Sequence, residues 1–266
     1  MNIVSDGTEL FYDVRGDGAP VVLLHPFPAN HHFWDAVVPS LEQRYQLILP
    51  DLRGHAESPP GTGPATMAKH ALDLARLCNE LGINKAIFGG VSIGGYILFE
   101  FWRRSRERIA ALILANTRAS GETAEGRATR EKSIQEVEQR GPALFIEAML
   151  PKLLGKTSIE TRPGRVAAAR EMMSRMSVRG IVALQEGMAT RPDSIANLKT
   201  IDVPTLIIGA EEDTLTPVAE AEIMRQNISG SRMEVVPRAG HYAVFEQPEY
   251  CGRLLRSFLD SMAPGG

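Results

Sequence analysis

The sequence predicts an α/β fold in which helices cover both faces of a mostly parallel, doubly wound sheet. Short apolar runs, typical of strands that are buried on both faces, alternate with longer segments of helical periodicity. Such alternation indicates strand–helix–strand units, in which successive strands lie parallel. The predicted strands of this kind are residues 20–24, 45–50, 85–88, 110–115, 203–209 and 232–236.

The remaining elements fit the same interpretation. Residues 3–4 and 9–14 flank a turn at residues 5–7, which predicts an antiparallel hairpin at one edge of the sheet. Helices are predicted over residues 33–41, 66–81, 96–104 and 248–262.

One long segment departs from the alternation. Residues 118–191 contain no strand-like run, and their helical stretches are separated by glycine and proline at 141–142, 155 and 163–164. We therefore predict a core formed by residues 1–117 and 192–266, with an all-helical insertion at 118–191.

Composition excludes several functional classes. The chain of 266 residues carries a net charge of −3, which gives no indication of a nucleic-acid or membrane partner. Cys78 and Cys251, the two cysteines, fit free thiols in a reducing compartment. The N-terminus lacks the basic and apolar regions of a signal peptide, so we expect a cytoplasmic protein. The sequence gives no prediction of the oligomeric state.

Ser92 lies between Gly90 and Gly94 at a predicted turn from a strand into a helix. This G-x-S-x-G pattern is typical of a nucleophile elbow, in which a strained backbone projects the serine hydroxyl clear of the sheet. The chain passes so close to itself there that the flanking positions have no room for side chains. The pattern is short, however, and an ordinary turn whose serine only caps the helix is the alternative.

A serine nucleophile requires a base, and the base requires a carboxylate that orients it. Asp213 and His241 each follow one of the last two predicted strands. Both would therefore lie at the carboxyl ends of strands, where open α/β sheets form crevices. Glu211 and Glu212 are neighbouring carboxylates, and His241 as an ordinary loop histidine is the alternative. The order Ser92, Asp213, His241 is that of one fold of serine hydrolases.

With these residues in place, the sequence resembles the α/β-hydrolase superfamily over nearly its whole length. The matching segments are residues 25–28, 51–55, 90–95, 209–217 and 239–248. The resemblance implies that Ser92 is the nucleophile, that His241 is the general base and acid, and that Asp213 holds the imidazole tautomer. It also implies an oxyanion hole formed by the backbone N–H groups of Phe27 and Ile93.

One position departs from the superfamily pattern beside that hole. Pro26 stands where glycine is usual, and proline has no N–H to donate. Since the implied donor is Phe27, the departure leaves the oxyanion hole intact.

No metal or cofactor is expected. His31 and His32 are adjacent, but the sequence has neither H-x-H-x-D nor H-E-x-x-H around them. The glycines around Ser92 are not followed by the Lys-Ser/Thr of a phosphate-binding loop, and no G-x-G-x-x-G follows the first parallel strand.

A serine nucleophile with an oxyanion hole suits acyl transfer to water, with an ester, thioester, lactone or activated amide as the substrate. Similar proteins with the same three residues also cleave carbon–carbon bonds or make peracids. The resemblance further implies that the helical insertion lies over Ser92 as a lid. The predicted substrate contacts are Phe27, Trp34, Met149, Met172 and Met176, with packing in an apolar core as the alternative for the tryptophan and the methionines.

The charge of the insertion bears on the substrate. Residues 118–191 contain 10 Arg and 3 Lys against 9 Glu and no Asp. A basic lid favours a substrate that carries a carboxylate, as in the 3-oxoadipate enol-lactonases that the chain resembles. A solvated helical surface with Glu–Arg pairs is the alternative. The sequence thus predicts a serine carboxylic-ester hydrolase acting on a small-molecule ester or lactone, with a non-catalytic ligand-binding protein of the same fold as the other hypothesis.

Overall fold

A computed structural model describes residues 1–262. Its eight strands form one sheet in the order β1-β2-β4-β3-β5-β6-β7-β8. The first two strands run antiparallel to their neighbours, and all other pairs are parallel. The predicted α/β class and the edge hairpin are therefore confirmed. The strands are β1 Asn2–Ser5, β2 Thr8–Arg15, β3 Ala19–Leu24, β4 Tyr45–Pro50, β5 Ala86–Val91, β6 Ile109–Ala115, β7 Thr205–Ala210 and β8 Arg232–Val236.

Helices cover the sheet and fill the long connection between β6 and β7. The first two are α1 Met67–Glu80 and α2 Ile93–Ser105. The connection contains α3 Ala124–Arg140, α4 Pro142–Leu153, α5 Lys156–Thr161, α6 Pro163–Ser174, α7 Val178–Ala189 and α8 Ile195–Leu198. The last three helices are α9 Val218–Asn227, α10 Ala243–Glu246 and α11 Pro248–Asp260.

The helix predicted over residues 33–41 is wrong. Two short 3₁₀ helices, His31–Trp34 and Val38–Ser40, occupy this segment instead. Pro39 has no N–H to bond to the preceding turn, which disfavours an α-helix that runs from Phe33 through to Leu41.

The segment between β6 and β7 contains six helices joined by short loops and no strand, as predicted. Its helices continue to Leu198, past the predicted end of the insertion at residue 191. The division into a core and an insertion at residues 118 and 191 stays a prediction about domain organisation.

Strand register decides where a site can form. Leu24 of β3 lies beside Gly90, and Val91 of β5 lies beside Ala115 of β6. Ala210 of β7 lies beside Val236 of β8. The parallel strands therefore end at the same edge, and the loops that leave them are neighbours. Every residue of β5 and β7 is buried, so this edge rests on a rigid core.

None of the helices within residues 1–262 is both long and apolar enough to cross a membrane. Cys78 and Cys251 are buried and form no disulfide.

Candidate active site

Ser92 occupies the turn between β5 and α2 with φ of 55° and ψ of −112°, a backbone conformation that residues other than glycine rarely adopt. Its backbone N–H donates to Ala115 O at 3.0 Å, and its carbonyl accepts from Thr117 Oγ1 at 2.7 Å. Hydrogen bonds on both sides of the residue thus hold the strained conformation in place.

The glycines around Ser92 make this turn possible. A Cβ atom added to Gly90 would clash with the backbone of Gly94 and Gly95, and one added to Gly94 would lie 2.8 Å from Leu24 O. A Cβ atom at Gly95 would clash with the side chain of Thr117. Because these three glycines have no side chains, α2 can pass directly over β3 and the end of β6, as the sequence pattern predicts.

Asp213 and His241 meet at the ends of β7 and β8. The distance from His241 Nδ1 to Asp213 Oδ2 is 2.9 Å, and both side chains are almost completely buried. Since an ionised carboxylate only accepts hydrogen bonds, Nδ1 carries the proton and Nε2 of the neutral ring is free to accept one. Glu211 and Glu212 bond elsewhere, to the backbone of Arg238 and to Thr157 respectively.

Several other groups hold the Asp213 carboxylate. Oδ1 accepts from the backbone N–H groups of Leu215 and Thr216, each at 2.9 Å. Oδ2 accepts from Thr216 Oγ1 at 2.5 Å and from Asn116 Nδ2 at 2.9 Å. Burial by itself raises the pKa of Asp213, but the attraction of His241 and the hydrogen bonds outweigh it and hold the pKa well below its usual range.

Ser92 and His241 line the same cavity, which has a volume of about 310 Å³. Among residues 1–262, Ser92 forms hydrogen bonds only through its backbone, so its hydroxyl is available to a substrate. The apolar part of the wall consists of Phe27, Tyr96, Met149, Leu153, Met188 and Leu215. Residues of α3, α4 and α7 belong to the wall, so the helical connection between β6 and β7 borders the cavity.

The backbone N–H groups of Phe27 and Ile93 have no hydrogen-bond partner within residues 1–262, although both residues are buried. Phe27 follows β3, in a turn that His25 supports. His25 Nε2 accepts from the Leu52 N–H at 3.0 Å, so its Nδ1 donates to Pro26 O at 3.0 Å. Burial lowers the pKa of His25 to about 4, which keeps this ring neutral. Two unpaired buried donors near Ser92 are what an oxyanion hole requires.

The five predicted substrate contacts divide into two groups. Phe27 and Met149 line the cavity, whereas Trp34, Met172 and Met176 do not. Trp34 packs edge-on against Phe33, Met172 lines a separate surface cavity beside His32, and Met176 is buried. Periodicity indicates which side of a helix is apolar but does not tell which cavity that side borders, so Trp34, Met172 and Met176 stay predictions that lie outside the cavity beside Ser92.

Sequence reasoning missed Asn116 and Thr216, which bond to Asp213, and Arg118, which lines the cavity. Asn116 and Arg118 follow the carboxyl end of β6 directly. The position of polar residues after a strand of the central sheet was therefore a signal that could have found them.

Within the described part of the chain, no group of three or more His, Cys, Asp or Glu side chains is placed to hold a metal ion.

Comparison with known proteins agrees with this geometry. Residues 19–248 match the alpha/beta hydrolase fold family, and the chain belongs to that family. A thermophilic esterase from Thermogutta terrifontis, solved with malate bound, is 37% identical; the alignment covers 99% of this chain and 97% of the esterase, with a TM-score of 0.94. The enol-lactonase of Burkholderia xenovorans is 25% identical over 98% of this chain and all of its own, with a TM-score of 0.91. A 3-oxoadipate enol-lactonase of Acinetobacter baylyi is 26% identical over 88% of this chain and 86% of its own. The chain is accordingly a hydrolase of the α/β class.

Proposed function

We propose that this protein is a serine hydrolase that cleaves carboxylic esters of small to medium acyl substrates. The observation that carries the proposal is the His241–Asp213 hydrogen bond of 2.9 Å beside a serine in a strained elbow, with Ser92 and His241 lining one cavity. Similarity to an esterase and to enol-lactonases supports the same reaction class.

The proposed reaction begins with attack of Ser92 Oγ on the ester carbonyl carbon while His241 Nε2 takes the hydroxyl proton. Asp213 stabilises the imidazolium that forms, and its lowered pKa keeps it ionised throughout. The negative charge on the carbonyl oxygen would be met by the N–H groups of Phe27 and Ile93. Collapse of the tetrahedral intermediate breaks the C–O bond, and His241 returns the proton to the departing alcohol. Water then attacks the acyl carbon while His241 takes its proton. Collapse of this second tetrahedral intermediate breaks the bond to Ser92 Oγ, which receives the proton from His241 as the carboxylic acid leaves.

The cavity supports the size of substrate. A volume of about 310 Å³ lies at the lower end of the range for small-molecule sites, about 300–1,000 Å³. Its apolar wall suits a short acyl chain.

A fluorophosphonate probe tests the proposal directly. Native protein should be labelled at Ser92, and Ser92→Ala should lose both labelling and turnover of p-nitrophenyl acetate and butyrate, with kcat falling by about 10⁶-fold. Absence of labelling in folded wild-type protein would instead favour a non-catalytic binding protein.

Lactone hydrolysis is the second candidate, favoured by the similarity to two enol-lactonases. The chemistry is the same, but the alcohol stays tethered to the acyl group. Turnover of a carboxylate-bearing enol lactone, measured beside the p-nitrophenyl esters, separates the two: the better substrate by kcat/KM identifies the reaction.

A further inference from the structure

The cavity beside Ser92 has an uneven distribution of charge. Arg118, Arg130 and Lys152 line it together with a single carboxylate, that of Glu122. One carboxylate can offset the charge of only one of these three cations. The wall therefore carries an excess of positive charge next to the proposed nucleophile.

Glu122 is already engaged by two other groups. Its Oε2 lies 2.6 Å from Arg130 Nε and 3.7 Å from Arg191 Nη1, and its side chain is almost fully buried between them. Arg191 also stacks over the ring of Tyr96, with its guanidinium carbon 4.1 Å from the ring centroid. Burial lowers the pKa of Arg191, and repulsion from Arg118 and Arg130 acts in the same direction. The three arginines therefore lie close enough to repel one another around one carboxylate.

Arg118 is one of two cations in this wall that have no carboxylate partner within residues 1–262. Within residues 1–262 it forms no ion pair; its Nη2 donates to Leu215 O at 2.6 Å, while its Nε is buried and has no partner. Lys152, at the rim, likewise forms no ion pair within the described residues. A charged N–H without an acceptor is unusual in a folded protein. Since the Nε atom itself is closed to solvent, a ligand oxygen would meet the guanidinium where Arg118 lines the cavity, and no carboxylate of the described residues pairs with it there.

The chain fixes Arg118 near the reacting centre from both sides. The residue before it, Thr117, donates its hydroxyl to the carbonyl of Ser92. The carbonyl that Arg118 holds belongs to Leu215, whose own N–H bonds to Asp213. A group bound at Arg118 would therefore occupy the same cavity as the ester that Ser92 would attack.

We propose that Arg118, assisted by Lys152, forms a carboxylate subsite, and that the enzyme prefers small esters that carry a second, ionised carboxyl group. The guanidinium presents a planar set of donors that matches a carboxylate, and the local excess of positive charge favours an anion over a neutral chain. This inference rests on the proposed function, since it names the substrate class of the same site.

The test compares each anionic ester with its neutral amide isostere. Monomethyl glutarate against methyl glutaramate places the charge on the acyl side, and O-butyryl glycolate against O-butyryl glycolamide places it on the alcohol side. Initial rates are followed by pH-stat titration for the wild type, Arg118→Gln and Arg118→Lys. Arg175→Gln is the matched control, because this exposed arginine of the helical connection lies outside the cavity and only approaches Glu57 at 3.8 Å.

In the wild type, kcat/KM for the acid should exceed that for the amide by about tenfold or more in at least one pair, and the ratio should shrink at 0.5 M NaCl. Arg118→Gln should bring that ratio close to one, because kcat/KM should fall about tenfold more for the acid than for the amide; Arg118→Lys should retain part of the preference. Arg175→Gln should keep the wild-type ratio. Equal rates on acid and amide in both pairs, or a ratio that survives Arg118→Gln, would overturn the subsite.

A binding measurement keeps this test apart from the test of catalysis. Glutarate titrated calorimetrically into Ser92→Ala should bind more tightly than glutaramide, and adding Arg118→Gln should remove the difference. Glutarate binding by a protein that turns over no ester would leave the subsite standing and refute the hydrolase proposal. Ester turnover without selective glutarate binding would refute the subsite alone.

Discussion

At the scale of single residues, the candidate site depends on which carboxylate orients His241. Three acidic residues follow β7, and only Asp213 reaches the imidazole. Its two oxygens accept hydrogen bonds from Asn116 and Thr216 as well as from His241, which fixes the carboxylate in one orientation. A fixed, ionised carboxylate selects the tautomer in which Nε2 can act as a base.

Asp213→Asn should lower kcat on p-nitrophenyl esters by about 10⁴-fold, because the amide no longer selects that tautomer and does not stabilise the imidazolium. The rate of fluorophosphonate labelling should fall in parallel, while KM changes little. Glu211→Gln is the matched control, since its carboxylate bonds to the Arg238 backbone and not to the histidine; it should keep kcat within a few-fold. A similar loss in both variants would contradict the assignment of Asp213.

At the scale of elements, a buried carboxylate ties the helical connection to the loop that carries His241. Glu246 of α10 accepts from the N–H of Gly155, just before α5, and from the N–H of Gly240, each at 2.8 Å. The two glycines touch, since a Cβ atom on either would clash with the backbone of the other. Tyr242 N also donates to Leu153 O at 3.0 Å. The end of α4 and the histidine loop are thus joined directly, beside the cavity.

Glu246→Gln should destabilise this junction. A glutamine presents one oxygen and one NH₂ group, so one of the two backbone N–H groups would lose its acceptor and face a donor. We expect the free energy of unfolding in urea to fall by about 2 kcal/mol, with kcat reduced more than KM because Gly240 precedes His241. Glu249→Gln, an exposed change in the first turn of α11, should cost less than about 0.5 kcal/mol. Equal stability of the two variants would show that the junction contributes nothing.

At the scale of the whole molecule, buried neutral histidines couple folding to pH. His25, His55 and His70 are fully buried, and burial lowers the pKa of His25 and His70 to about 4 and that of His55 well below its usual value. In the unfolded chain these groups titrate near 6.5, so unfolding takes up protons below that pH. The stability that depends on these three neutral histidines is therefore fully present above pH 6.5 and is lost as the pH falls towards 4. Burial raises the pKa of Glu246. This single group therefore opposes the histidines, because its contribution to stability rises as the pH falls.

His70→Met isolates one of these contributions. Neither ring nitrogen of His70 has a hydrogen-bond partner within residues 1–262, so an apolar side chain of similar size loses no bond. The stability of the variant relative to the wild type should rise as the pH falls from 7 to 4, by up to about 3 kcal/mol. Urea unfolding at several pH values measures this difference. Leu74→Met, one turn along α1, changes packing without adding or removing a titrating group. The free energy of unfolding of this variant should therefore differ from that of the wild type by the same amount at every pH. A constant difference for His70→Met would rule out the coupling.

Sequence reasoning reached the fold and the positions of Ser92, Asp213 and His241 at strand ends because both depend on local patterns. The apolar runs of β5 and β7 and the glycines around Ser92 reflect burial and backbone crowding that neighbouring residues already express. The helix predicted at residues 33–41 failed because Pro39 interrupts the hydrogen bonding that an apolar pattern alone suggests. The predicted substrate contacts Trp34, Met172 and Met176 lie outside the cavity beside Ser92 for a different reason: an apolar side chain can border a cavity or the core, and only packing distinguishes them.

The sequence by itself therefore determined the α/β class, the mostly parallel sheet, and the positions of Ser92, Asp213 and His241 at the ends of strands, since short-range periodicity and turn chemistry specify these features. Only the tertiary structure decided which charges meet. Glu122 pairs with Arg130 and Arg191, and Arg118 is left facing the cavity, because the helices between β6 and β7 bring residues far apart in the chain into contact. No local pattern encodes that arrangement, and the proposed preference for anionic esters follows from it.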